Sequence, residues 1–199
     1  MLSPALLDTL GRPLGDLRVS VTDRCNFRCR YCMPRERFGK EHVFLPRAEL
    51  LTFEEVARVV RVLGPGLRKV RLTGGEPLLR KSLADLVGML KADGAPPVAL
   101  TTNGVLLPQF AEPLARAGLT RLTVSLDALD PNVFAAVTDA DYGVTDVLAG
   151  IDAAVAAGFS RLKINCVVRR GLNETEVLPL ARRFHGTGHT LRFIEYMDV

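Results

Sequence analysis

Two hydrophobic rhythms alternate along the chain. Short stretches at 16–22, 68–73, 97–102, 120–126, 161–168 and 189–196 read as strands. Segments with apolar residues three and four apart fall between them and predict helices. The first helix spans about 53–63, with Phe53, Val56, Val60 and Leu63 on one face, Thr52 and Glu55 as a capping box, Leu51 and Val56 as a hydrophobic staple, and Gly64-Pro65 as the stop. A second runs over about 83–93, entered at Ser82 with Asp85 and ended by Gly94, and a third from Pro108 to Ala117 before Gly118. Asp130-Pro131 opens a short helix, and 145–157 a longer one. The last covers about 174–185 from Asn173, but Pro179 inside it removes a hydrogen bond unless the helix starts later. Strict strand–helix alternation predicts a parallel sheet covered by helices, either an open doubly wound sheet or a (β/α) barrel.

The strands do not read as the continuous apolar runs of a sheet buried on both faces. Arg18, Ser20 and Thr22 alternate with Leu17, Val19 and Val21; Arg71 and Thr73 with Val70 and Leu72; Thr123, Ser125 and Asp127 with Leu122, Val124 and Leu126; Lys163 and Asn165 with Leu162, Ile164 and Cys166. The apolar set meets the helices, so the polar set faces a wet or ligand-filled interior, or solvent where a strand lies at a sheet edge. Arg18, Arg71 and Lys163 belong to that set and suit phosphate oxygens.

Composition narrows the picture. A length of 199 residues suits one domain, and 48% hydrophobic content argues against disorder. A net charge of +4, with no basic run and no aromatic–basic interleaving, does not call for nucleic acid. No apolar run approaches a membrane span, and the first ten residues lack a signal-peptide pattern. Residues 1–15 read as a lead-in and 16–199 as one core domain. Four cysteines, three of them clustered, fit a reducing cytoplasm, and Cys166 reads as a small buried hydrophobe.

The cluster is Cys25-Asn-Phe-Arg-Cys29-Arg-Tyr-Cys32, on the loop after the first strand. Three thiolates on one loop can hold three corners of a [4Fe–4S] cube and leave one iron open. A structural zinc would want a fourth ligand, a thioredoxin-like pair leaves Cys25 unused, and a disulfide framework suits a small secreted chain. The second strand ends in Thr73-Gly-Gly-Glu-Pro77, where two glycines allow close approach of a ligand and Glu76 could meet an ammonium group. No Walker A or G-x-G-x-x-G pattern is present.

From Arg18 to Pro34 the chain resembles the cluster loop of radical S-adenosylmethionine enzymes, and more narrowly the GTP 3',8-cyclase family of molybdenum cofactor biosynthesis. The resemblance runs from about Asp16 to Met197. It implies a partial (β/α)6 TIM-like barrel of parallel strands with outer helices. It also implies a cluster on Cys25, Cys29 and Cys32, and S-adenosylmethionine on the open iron with its amino group at the GGEP segment. Tyr31, Gly75, Ser125 and Met197 match cofactor contacts, and Arg18, Arg71, Thr102 and Lys163 match GTP contacts, with Arg192 near the triphosphate. The chemistry it implies is one-electron cleavage of the sulfonium, hydrogen abstraction at C3' of GTP and closure onto C8. The product would be 3',8-cyclo-7,8-dihydroguanosine triphosphate. The partners it implies are a one-electron donor and a downstream cyclic pyranopterin synthase, with a homodimer compatible. The family carries a second cluster on three cysteines in a C-terminal region, whose ligands are absent here. The expectation is therefore a fragment or truncated form that binds cluster and cofactor, with cyclisation depending on the missing region. Two other readings stand beside it: a radical enzyme acting on another substrate such as a peptide, and a non-catalytic iron–sulfur or zinc module.

Overall fold

A computed structural model describes residues 6–197. The strands are β1 (Asp16–Ser20), β2 (Lys69–Thr73), β3 (Val98–Thr102), β4 (Arg121–Ser125), β5 (Lys163–Val168) and β6 (Thr190–Glu195). The helices are α1 (Phe53–Leu63), α2 (Leu83–Ala92), α3 (Leu107–Ala117), α4 (Pro131–Thr138), α5 (Val144–Ala156) and α6 (Val177–Phe184). All six strands lie in one sheet in the order β1-β2-β3-β4-β5-β6, every neighbouring pair parallel. Consecutive order with no reversal is the winding of a barrel and not of a doubly wound sheet. β1 and β6 are not paired with each other, so the barrel is partial and open.

The side-chain alternation sorts as the sequence predicts. Leu72, Leu100, Leu122, Ile164 and Cys166 are fully or almost fully buried on the outer face. They join one core with Leu83, Leu86, Leu90, Leu107, Leu114, Val147 and Leu180. Burial of each such leucine contributes roughly 1.5–3 kcal/mol, enough to drive the apolar parity outward and leave the polar parity on the concave face.

Local signals account for most boundaries. Thr52 and Glu55 form the capping box, Glu55 N donating to Thr52 Oγ1 at 3.2 Å and Thr52 N to Glu55 Oε2 at 2.7 Å. Asp130 caps α4 by accepting from Asn132 N and Val133 N. Two helix entries differ from expectation. Ser82 makes no side-chain cap and sits at φ 60°. The last helix starts at Val177 after a short 3-10 turn (Glu174–Glu176), which brings Pro179 into its first turn, where no backbone donor is lost. Asn173 does not cap it. Its Nδ2 donates to the carbonyls of Asp127 and Val167, both at 2.9 Å, and ties the ends of β4 and β5 together.

Candidate cluster loop and cationic sheet face

The cysteine loop follows β1 with little regular structure and is held by its neighbours. Arg28 N and Arg30 N donate to the carbonyls of Thr138 and Val137 at the end of α4. The Arg28 guanidinium gathers the loop from within, donating to the carbonyls of Cys25, Phe27 and Phe38 at 2.7–2.9 Å. Phe27 is buried and meets Phe134 edge-on at 6.1 Å. On the other side lies the Gly74-Gly75 turn. Gly75 N donates to Thr22 O at 2.8 Å and Glu76 N to Arg24 O at 2.7 Å. A Cβ on Gly75 would stand 2.3 Å from Arg24 O. These glycines let two backbones meet, a use the sequence reading assigned to a ligand.

The loop, the turn and the carboxyl ends of β2, β3 and β4 enclose a cavity of about 320 Å³. Its lining brings together Arg18, Cys25, Cys29, Tyr31, Cys32, Gly75, Thr102 and Ser125, eight residues separately marked by the sequence. Arg71 and Lys163 line a second cavity toward the amino ends of the strands. Met197 is brought to neither: it follows β6, exposed, outside both linings.

The carboxylates at the first cavity are already engaged. Glu76 is almost fully buried. Its Oε1 accepts from Leu78 N at 3.0 Å and Thr102 Oγ1 at 2.8 Å, and its Oε2 from Asn103 N at 2.7 Å. It braces the ends of β2 and β3. Burial pushes its pKa up to about 7. Thr102 turns its hydroxyl to this brace and not to the interior, also accepting from Gly104 N at 3.0 Å. Asp127 is buried as well. Its Oδ1 accepts from Val167 N and its Oδ2 from the Tyr31 hydroxyl, each at 2.8 Å. Burial lifts its pKa to about 6.

With the carboxylates committed, the free donors are sulfur. Cys32 is exposed, Cys25 partly buried and Cys29 buried. Burial raises the Cys25 thiol to about 11. A hydrogen bond between Cys29 and Cys32 raises the former and lowers the latter, favouring thiolate at the exposed position. Three soft donors around one cavity fit an iron–sulfur group. Among the described residues no three His, Cys, Asp or Glu side chains are grouped to hold a single ion. Two buried polar atoms nearby lack a protein partner: Asn26 Nδ2 in the loop and Asn165 Oδ1 on β5.

The concave face carries the opposite charge. Arg18, Arg71, Arg121, Lys163 and Arg192 all fall on its parity. Among the described residues none of them has a carboxylate within 4.0 Å. Arg71 Nη1 donates only to hydroxyls, Thr101 Oγ1 at 2.8 Å and Thr123 Oγ1 at 3.3 Å. Burial lowers its pKa, and the charges of Arg18, Arg192 and Arg121 lower it further. Arg71 is half-buried and the other four are exposed, so the face is a solvent-accessible field of one sign that attracts an anion.

Sequence reasoning missed Asp127 as the partner of Tyr31, because the two are 96 residues apart and only the fold joins them. It also passed over Arg121, although strand parity already placed it with Thr123.

The pattern of the radical SAM superfamily matches residues 19–184. A protein of Acidothermus cellulolyticus named GTP 3',8-cyclase is 59% identical over 195 residues, covering 96% of this chain and 54% of the relative. One of the same name from Xanthomonas axonopodis is 53% identical over 194 residues, covering 96% and 58%. The chain thus spans about half the length of the curated relatives it matches. Among solved structures, Streptococcus suis SuiB bound to S-adenosylmethionine superposes with a TM-score of 0.75 at 17% identity, over 92% of this chain and 41% of that one. A methylornithine synthase follows at TM-score 0.69, also 17% identical, over 92% and 53%. At such identity these two bear on the fold alone.

Proposed function

The chain belongs to the radical SAM superfamily, and on that premise we propose that it is the cluster-binding part of a GTP 3',8-cyclase, a lyase of molybdenum cofactor biosynthesis. The observation that carries the reading is the link between the two sites: Arg18 lines the three-thiol cavity at the carboxyl rim and stands in register with Arg71, which lines the second cavity with Lys163, and among the described residues none of the three has a carboxylate partner. A peptide substrate would leave those cations without partners.

Cys25, Cys29 and Cys32 hold the cluster. When bound, a reduced [4Fe–4S] cluster carrying S-adenosylmethionine supplies hydrogen-atom abstraction. The protein's share is positioning. Asp127, through the Tyr31 hydroxyl, fixes the segment between the second and third ligands. Backbone at Gly75 and the Ser125 hydroxyl, both in the cavity wall, hold the cofactor, and Asn165 Oδ1 offers an unused acceptor one strand from Ser125. Arg18, Arg71 and Lys163 bind the triphosphate, and Arg192 adds charge. Thr102 acts from beneath, by keeping Glu76 in place. Met197 contacts the cofactor only where the segment after β6 lies across the rim. The helices on the outer face keep water from that side of the sheet.

The guanine-side contacts and the second cluster are what the family resemblance implies and are no part of the assignment made for these residues. An external one-electron donor and a downstream cyclic pyranopterin synthase complete the scheme, and a reducing cytoplasm suits the thiols. Among the described residues no helix is long and apolar enough to cross a membrane.

Anaerobically reconstituted protein is incubated with dithionite and S-adenosylmethionine, with and without GTP. Deoxyadenosine formation that rises with GTP supports the assignment. Formation indifferent to GTP removes GTP as the substrate, and zinc in place of iron and sulfide ends the radical reading.

A further inference from the structure

The register of the sheet places Arg18 opposite Arg71, Arg71 opposite Ala99, and Ala99 opposite Arg121. Three guanidinium groups therefore stand in one row across four strands, about 14 Å from end to end at the usual strand spacing. Ala99, small and buried, leaves a hollow between the second and third. The next row toward the carboxyl rim is Thr101, Thr123, Lys163 and Thr190, and the one above holds Ser125, Asn165 and Arg192. Descending from the rim, the interior thus passes Arg192 beside Asn165, then Lys163, and then reaches Arg71 and Arg121, while Arg18 lines the thiol cavity itself. Arg121 is exposed, opens the strand and lines the cavity of about 650 Å³ with Arg71, Lys163 and Lys69; no carboxylate lines it. Asp16, the acid on this face of β1, is taken by Lys69 at 2.9 Å.

We propose that Arg121 is a specificity residue: it binds the terminal phosphate of a polyphosphate laid along the arginine row, so that the site distinguishes triphosphates from monophosphates. This rests on the nucleotide reading for the identity of the substrate, while the anion site stands on register and charge. Lys163 meets the phosphate nearest the sugar, and Arg71 and Arg121 beneath it meet the far end. A monophosphate held at the carboxyl rim ends short of Arg121, about 13 Å below Ser125 along β4. The guanidinium fork suits phosphate oxygens better than the point charge of a lysine.

The test is calorimetric binding to the reconstituted protein, using inorganic tripolyphosphate, GTP and GMP as separate probes. Arg121→Ala is expected to weaken tripolyphosphate and GTP about tenfold or more and GMP less than twofold, the loss of a charge-assisted contact at one end. Arg58→Ala removes the same charge from the outer surface of α1 and is expected to change none of the three. Equal loss in both variants, or loss shared by GMP, overturns the proposal in favour of a general charge effect. GTP and tripolyphosphate affinities untouched by Arg121→Ala overturn it while leaving GTP as substrate. Tripolyphosphate bound through Arg121 by a protein that does not bind GTP keeps the anion site and removes the guanosine nucleotide. Unfolding midpoints of both variants, expected within a degree of the parent, show that the fold is intact.

Discussion

At the carboxyl rim the protein completes its own polar network; along the concave face it leaves one open. Glu76 accepts from three protein donors and Asp127 from two. A few strand residues away, Arg18, Arg71, Arg121 and Lys163 have no carboxylate partner among the described residues. Both regions are charged, but the rim carboxylates are buried and satisfied by protein donors, whereas the cations of the face are half-buried or exposed and solvated. The rim therefore holds the loops in place, and the face supplies binding.

Substitutions should separate the two. The largest effect is expected from Cys29→Ala, which removes a ligand from the three-thiol set. Iron and sulfide counts should fall to background, and a variant that loads normally would exclude Cys29. Next comes Glu76→Ala, which strands Leu78 N, Asn103 N and the Thr102 hydroxyl. A loss of about 3–5 kcal/mol in urea unfolding is expected from three buried donors. A loss below 1 kcal/mol would mean that the brace contributes little.

The same residue gives a pH signature. Its folded pKa, about 7, lies above the ordinary value near 4.5. In that window the folded state binds more protons than the unfolded, so stability falls as pH rises from about 4.5 to 7. Below 4.5 both states hold the proton, and above 7 the full loss, of order 3 kcal/mol, is reached. Unfolding curves at pH 5 and pH 8 should differ less for Glu76→Gln than for the parent; equal differences would place the titration elsewhere. The smallest stability change is expected on the cation side. Lys163→Ala should alter unfolding by less than about 0.5 kcal/mol, as surface changes do, and still weaken GTP about tenfold with cluster content unchanged. A large loss of stability there would erase the contrast.

Much of this was legible in the sequence. Parity alone separated the faces of β1, β2, β4 and β5, because one side meets helices and the other does not. The three cysteines declared themselves by spacing. What stayed hidden needed pairing across the chain. Tyr31 meets Asp127 only once β4 is in place. Arg121 gains its meaning from the strand register that sets it beside Ala99 and Arg71. The bond between Glu76 and the Thr102 hydroxyl was not legible, because a loop carboxylate at a strand end looks free until the neighbouring strand supplies donors. Pro179 was read as a conflict and resolved by a later helix start, a shift of three residues that a proline tolerates.

The Arg28 side chain and the two bonds to the end of α4 hold the cysteine loop through carbonyl acceptors, beside a bond from Phe27 N to Cys25 Sγ at 3.4 Å. Small zinc domains, by contrast, fold only as the metal arrives. A chain built in this way meets its inorganic guest with the seat already formed. Oxidative stripping should then leave an empty but intact vessel, to be refilled without being folded anew.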